Sequence, residues 1–182
     1  FIAARERGEV NSEYKSDPPV PDGSKIIISD TDHLWGIGGN VAWVWKSFTR
    51  GLNPIFMDPY EGIHGLDESE WTTWGPLNRR DHPLLEPIRC SMGYSKWFSE
   101  KLNLEKARAR PELVSTGYCL DDGESMVVYL ADESKATIHP ASRTGSHSLL
   151  WFNPENGALR RSDAYLSSEG GMEIESPFGQ GS

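Results

Sequence analysis

The sequence predicts an α/β segment followed by an all-β module, and three observations carry that expectation. An apolar, β-branched run, Lys25-Ile26-Ile27-Ile28-Ser29, leads straight into Asp30-Thr31-Asp32-His33-Leu34-Trp35-Gly36-Ile37-Gly38-Gly39. This is the pattern of a strand that delivers polar groups to its carboxyl end, where parallel α/β sheets place their chemistry. A helix-period stripe and a second short apolar run come next, as in a strand–helix–strand unit. Beyond Pro111 the spacing changes to that of short strands separated by turn residues.

The 182 residues are 37% hydrophobic and 25% charged, which suits one globular domain or two small ones and argues against disorder of the whole. A formal net charge of −9 opposes nucleic acid as a partner, because a phosphate backbone calls for clustered Lys and Arg. No apolar run approaches the length needed to span a bilayer, so no membrane partner is expected. Cys90 and Cys119 have no close metal-ligand spacing and are too few for a disulfide framework; one bridge or two buried free thiols would each fit. The first residue is Phe1 and no signal peptide is recognisable, so the expectation is the end of a longer polypeptide.

Taken in order, Asp17-Pro18-Pro19-Val20-Pro21-Asp22-Gly23 is a proline-rich turn. Residues 25–29, with three consecutive Ile, fit a strand buried on both faces of a parallel sheet. Asn40 then serves as N-cap, and Val41, Val44, Trp45 and Phe48 stand at i, i+3, i+4 and i+7, with Gly51 as the stop. Pro54-Ile55-Phe56-Met57 is the second strand and ends at Asp58-Pro59-Tyr60; being parallel to the first, it brings both Asp clusters to one rim. Residues 61–83 read as a long loop carrying Trp71 and Trp74. From Pro87, the series Ile88, Met92, Trp97 or Phe98, and Leu102 predicts another helix. Strands are expected over 114–120, 125–130, 135–139, 146–152 and 172–178, with turns at Asp121-Asp122-Gly123, Ala131-Asp132-Glu133 and Asn153-Pro154-Glu155-Asn156-Gly157. Their density predicts a small antiparallel sandwich.

Three stretches together, Ser29 through Gly39, Trp43-Val44-Trp45-Lys46-Ser47-Phe48-Thr49-Arg50-Gly51 and Asn53-Pro54-Ile55-Phe56-Met57-Asp58-Pro59-Tyr60, resemble the end of a (β/α)₈ barrel of the apiosidase-like glycoside hydrolases. Ser115-Thr116-Gly117-Tyr118-Cys119-Leu120, Val127-Val128-Tyr129-Leu130 and Trp151-Phe152-Asn153-Pro154-Glu155-Asn156-Gly157 are similar to the β-sandwich, labelled collagen-binding, that often follows those barrels. The resemblance implies that residues 1–104 are the last strands and helices of a barrel and residues 111–182 the sandwich. It makes 25–29 the seventh barrel strand and 54–57 the eighth, with six strands upstream.

What the resemblance implies about activity is hydrolysis of a glycosidic bond in a polysaccharide or glycoside, without a cofactor, in a bacterial-type protein that is secreted or periplasmic. Glycosidases need two carboxyl groups, about 5–5.5 Å apart for retention or about 6.5–9.5 Å for inversion. Related barrels place Glu as nucleophile after the seventh strand, where this chain offers Asp30 and Asp32, one methylene shorter. The partner acid would come from an earlier strand, so no turnover is expected from these residues alone. A barrel segment with open strand edges is also expected to be poorly soluble or self-associating unless the sandwich covers it.

Each candidate has a plainer alternative. Asp30 could cap the turn after the strand, and Asp32 could bond the glycine amides. His33 could hold a carboxylate or sugar hydroxyl, or simply pack beside Trp35. Asp58 and Tyr60 could bind substrate, or form a turn with Asp before Pro. Trp35, Trp71 and Trp74 suit stacking on a sugar ring, whereas Trp43, Trp45, Trp97 and Trp151 are expected to pack. One rival is an Asp-x-Asp phosphatase of the haloacid-dehalogenase type, with Asp30 attacking phosphorus, Asp32 handling the proton and Mg²⁺ joining them. No downstream Gly-Asp-x-x-x-Asp completes its metal site. The other is a non-catalytic β-sandwich that binds carbohydrate or is a structural accessory.

Overall fold

The computed structural model describes residues 15–31, 39–58, 83, 85–139 and 143–179. Strand β1 (Ile28–Asp30) pairs in parallel with β2 (Asn53–Ile55), in the register Ile28 to Asn53, Ser29 to Pro54 and Asp30 to Ile55. The Thr31 hydroxyl accepts the Met57 N–H at 2.9 Å, which ties the two strands together past their ends. Between them runs helix α1 (Val41–Thr49), capped as expected by the Asn40 side chain, whose Oδ1 accepts the Trp43 N–H at 2.7 Å. Gly51 adopts a φ of +72° just after the helix, a conformation that suits glycine.

Burial on both faces of the first strand is not observed. The covered face carries Ser29, Pro54 and Phe56, the last packed with Trp43, Val44 and Ile88. On the opposite face Ile26 is 83% exposed, Ile28 55%, Ile55 44% and Met57 50%. Consecutive Ile residues report β-propensity, and coverage of the second face depends on what packs there. Helix α1 departs from a single stripe in the other direction: Trp43 and Val44 face Ile88 on one side while Trp45 and Phe48 face Phe98, Tyr118 and Tyr129 on the other. Trp43 and Trp45 are thus core residues.

Helix α2 (Leu85–Ser99) begins two residues before Pro87, which occupies its first turn, and ends before Leu102. Leu85, Ile88 and Phe98 are buried, and α2 packs on α1. Trp97 is not a packed residue as expected: it is 37% exposed, edge-on to Phe98, with the Lys101 ammonium 3.8 Å from its ring centroid. Phe98 takes the inward position instead.

Among the described residues the remaining strands form three small antiparallel sheets. Strands β3 (Arg108–Ala109), β4 (Cys119–Asp121) and β5 (Met126–Val128) make one; β6 (Lys135–Ile138) pairs with β9 (Met172–Glu175); β7 (Gly145–Phe152) pairs with β8 (Leu159–Leu166). All three contribute to one apolar core that includes Cys119, Ile138, Leu166 and Ile174. The expected strand over 114–120 is interrupted: Val114 is extended and bridges Ile138, Gly117 turns the chain at φ +73°, and the ladder resumes only at Cys119. Neither β3 nor β8 was legible: Arg160-Arg161-Ser162-Asp163 carries no apolar alternation, and β8 is mostly exposed. Its pairing is imposed by the turn at 153–157, where the Gly157 N–H donates to the Asn153 carbonyl at 2.8 Å and the Glu155 N–H to Asn153 Oδ1 at 2.8 Å.

The described residues are therefore mixed α/β, with two helices and small antiparallel sheets, and no closed barrel is found among them. Helices and sheets meet in an aromatic cluster in which Trp45 lies 5.4 Å from both Phe98 and Phe152. Such ring pairs contribute roughly 0.5–1.5 kcal/mol each beyond their buried area. The segment before β1 is strapped across this junction. Asp17 receives Arg50 at 2.6 Å and the Tyr118 hydroxyl at 2.9 Å, the Arg50 guanidinium lies 4.5 Å from the Tyr118 ring centroid, and Lys46 donates to the Ser16 carbonyl at 3.0 Å. Among the described residues no helix is long and apolar enough to cross a membrane.

Candidate functional site

The carboxyl ends of β1 and β2 form the rim on which the sequence places its chemistry. Asp30 is the last residue of β1, partly buried, directly opposite Ile55 and, by strand alternation, on the same face as Ile28. Asp58 follows β2 on the same rim. Asp32, His33, Trp35, Tyr60, Trp71 and Trp74 lie outside the described residues, so of the sequence candidates Asp30 and Asp58 are the ones with defined surroundings.

Asp58 has a partner that sequence reasoning missed. Arg89, on the second turn of α2, donates Nε to Asp58 Oδ2 at 2.8 Å and Nη2 to Oδ1 at 2.6 Å. A bidentate fork of this kind fixes the plane of the carboxylate as well as its position. The hydrogen bond to Asp58 raises the guanidinium pKa above its ordinary value, and the nearby Glu86 carboxylate adds to the shift. Thirty-one residues separate the two, and no local pattern joins them.

The glycine-rich turn of the opening motif has a structural role at its end. A β-carbon on Gly39 would stand 2.3 Å from a ring carbon of the fully buried Trp43, so the backbone can approach the indole there only without a side chain. The other acidic pair, Asp121-Asp122, is committed to the β4–β5 turn. Asp122 accepts backbone N–H groups from Asn103, Glu124 and Ser125 at 2.7–2.8 Å. Burial pushes its carboxyl pKa up, but those three N–H groups and the charge of Arg143 outweigh it, and the net shift is downward. Asp121 pairs with Arg143 at 2.5 Å. Among the described residues no group of three or more His, Cys, Asp or Glu is placed to hold a metal ion.

Cys90 and Cys119 are free thiols, half-buried and buried respectively, and are not bridged. Burial, followed by the charge of Asp121, pushes the Cys119 thiol up to about 12, which leaves it a small core hydrophobe.

A concave feature opens into the antiparallel sheets. It is a cavity of 360 Å³ between β5 and β7, bounded by Met126, Val128, Leu149 and Trp151 and floored by Ile138 and Ile174. Lys101, Glu124, Arg143 and His147 stand among its polar lining. Trp151 packs against the core as expected, yet it is only half-buried because it also borders this space.

Comparison of the chain with protein-family models, with curated proteins and with solved structures finds no match.

Proposed function

We propose that the chain is the carboxyl-terminal part of a glycoside hydrolase of the apiosidase-like kind, in which β1, α1 and β2 are the last strand–helix–strand unit of a (β/α)₈ barrel and the antiparallel sheets are its appended sandwich. The observation that supports this reading is the exposed face of the parallel pair. Ile26, Ile28, Ile55 and Met57 lie bare opposite α1, and Asp30 ends the same row at the carboxyl rim. Parallel strands are stable when both faces are covered, and in a barrel the second face looks onto the interior, with catalytic groups at the carboxyl end of the strands.

On this reading Asp30 or Asp32 is the nucleophile, and the acid comes from an earlier strand. Asp58, its carboxylate plane set by Arg89, orients substrate hydroxyls together with Tyr60, while His33, Trp35 and Trp74 complete the substrate side. The carbohydrate is the partner and no cofactor takes part. The test is hydrolysis of plant and microbial polysaccharides by the gene product that carries this chain, with Asp30→Asn and Asp32→Asn as variants. One of the two substitutions lowers kcat/KM by about 10²–10⁴-fold, the range of a positioned carboxyl group. Wild-type rates in both variants, or no glycosidase activity in the gene product, would overturn the reading.

A further inference from the structure

We propose that the cavity between β5 and β7 is a binding site for an uncharged, mainly apolar small molecule of two or three rings. The inference is independent of the hydrolase reading and rests on three features of the space. The first is size: a cavity of about 150 Å³ lined by aliphatic and aromatic side chains holds one benzene. At 360 Å³ this one has room for on the order of fifteen non-hydrogen atoms.

The second is the wall. Met126, Val128, Leu149 and Trp151 all pack against the buried core and yet are only partly buried, because they face the open space. Two hydrogen-bonding groups of this wall are engaged: the Trp151 indole N–H donates to Ser162 Oγ at 2.9 Å, and His147 Nε2 bonds the Arg143 carbonyl at 2.8 Å. Against Met126, Val128, Leu149 and Trp151 a sugar hydroxyl would lose hydration with no replacement from those side chains, whereas an apolar ring gains by leaving water.

The third is the charge of the lining. Arg143 is paired with Asp121 at 2.5 Å, Lys101 lies over the Trp97 ring at 3.8 Å, and Glu124 supplies the opposing charge. Both cations have partners, so a charged head group on the ligand would be desolvated with little return.

The experiment uses the full chain and two dyes that share one skeleton: neutral N-phenyl-1-naphthylamine and its sulfonate, 8-anilino-1-naphthalenesulfonate. The neutral dye is expected to bind saturably at one site, with the sulfonate weaker by about tenfold or more, the equivalent of roughly 1.4 kcal/mol. Val128→Trp, which fills the cavity, is expected to weaken the neutral dye by at least about tenfold while retaining a cooperative melt. If that variant does not melt cooperatively, Leu149→Phe replaces it. Ile26→Ser with Ile28→Ser, which removes apolar surface from the bare face of β1, is expected to leave binding unchanged. Binding that survives in the cooperatively melting filling variant, or that disappears with the Ile substitutions, places the dye elsewhere and overturns the site. Equal or tighter binding of the sulfonate overturns the uncharged ligand class.

Discussion

Arg89 holds both carboxylate oxygens of Asp58, with donor–acceptor distances of 2.8 and 2.6 Å, and so fastens helix α2 to the rim beyond β2. The side chains are 27% and 40% exposed, which limits what the pair contributes to stability. Its effect is chiefly on orientation.

A double-mutant cycle with Arg89→Ala and Asp58→Ala is therefore expected to give a coupling energy of about 0.5–1 kcal/mol in urea unfolding. Arg89→Lys recovers only part of it, since an ammonium cannot form the fork. A coupling indistinguishable from zero would mean that the pair contributes nothing to stability.

Tyr118 carries a pH dependence. Burial first, then the hydrogen bond to Asp17, pushes its phenol up to about 12 against the opposing charge of Arg50. A pKa raised on folding means that the stabilisation is complete below the unfolded value near 10 and disappears as pH rises through about 12. Phenolate absorbance should show Tyr118 ionising late. The fall in urea midpoint between about pH 10 and 12 should be smaller in Tyr118→Phe. Tyr129, also pushed to about 12 by burial, titrates in the same window, so Tyr129→Phe is the matching comparison.

Gly39→Ala is expected to cost about 1–3 kcal/mol, because the added methyl meets a ring that is packed on every side. Gly93→Ala is the contrast: nothing lies within 4 Å of a β-carbon there, and in the interior of α2 alanine should stabilise by roughly 0.5–1 kcal/mol. Thermal midpoints that move the same way in both variants would contradict this account.

The bare face of β1 and β2 should drive self-association. Sedimentation of the 182-residue chain is expected to show concentration-dependent oligomers, and Ile28→Asp with Met57→Lys should shift the population toward monomer. A monodisperse, cooperatively unfolding monomer at high concentration would mean that this face is protected by other means.

Local signals in the sequence determined the helices and the parallel pair. Asn40, the apolar spacing from Val41 to Phe48, and Gly51 specify α1 whatever surrounds it, because a side-chain cap, a 3.6-residue period and a positive φ act within a few residues. The pairing of β1 with β2 follows from a connection that contains one helix. The Asp30 position at the carboxyl end of its strand was legible for the same reason.

What only the tertiary structure decided are matters of long-range partnership. Arg89 reaches Asp58 across the fold, and Trp97 yields the core to Phe98. The polar residues of β8 extend because the turn after β7 returns them to pair, and Met126, Val128, Leu149 and Trp151 from separated strands come to border one cavity. Periodicity describes which residues of one element share a face; which face is covered, and by what, is settled when distant elements compete for the same apolar surface.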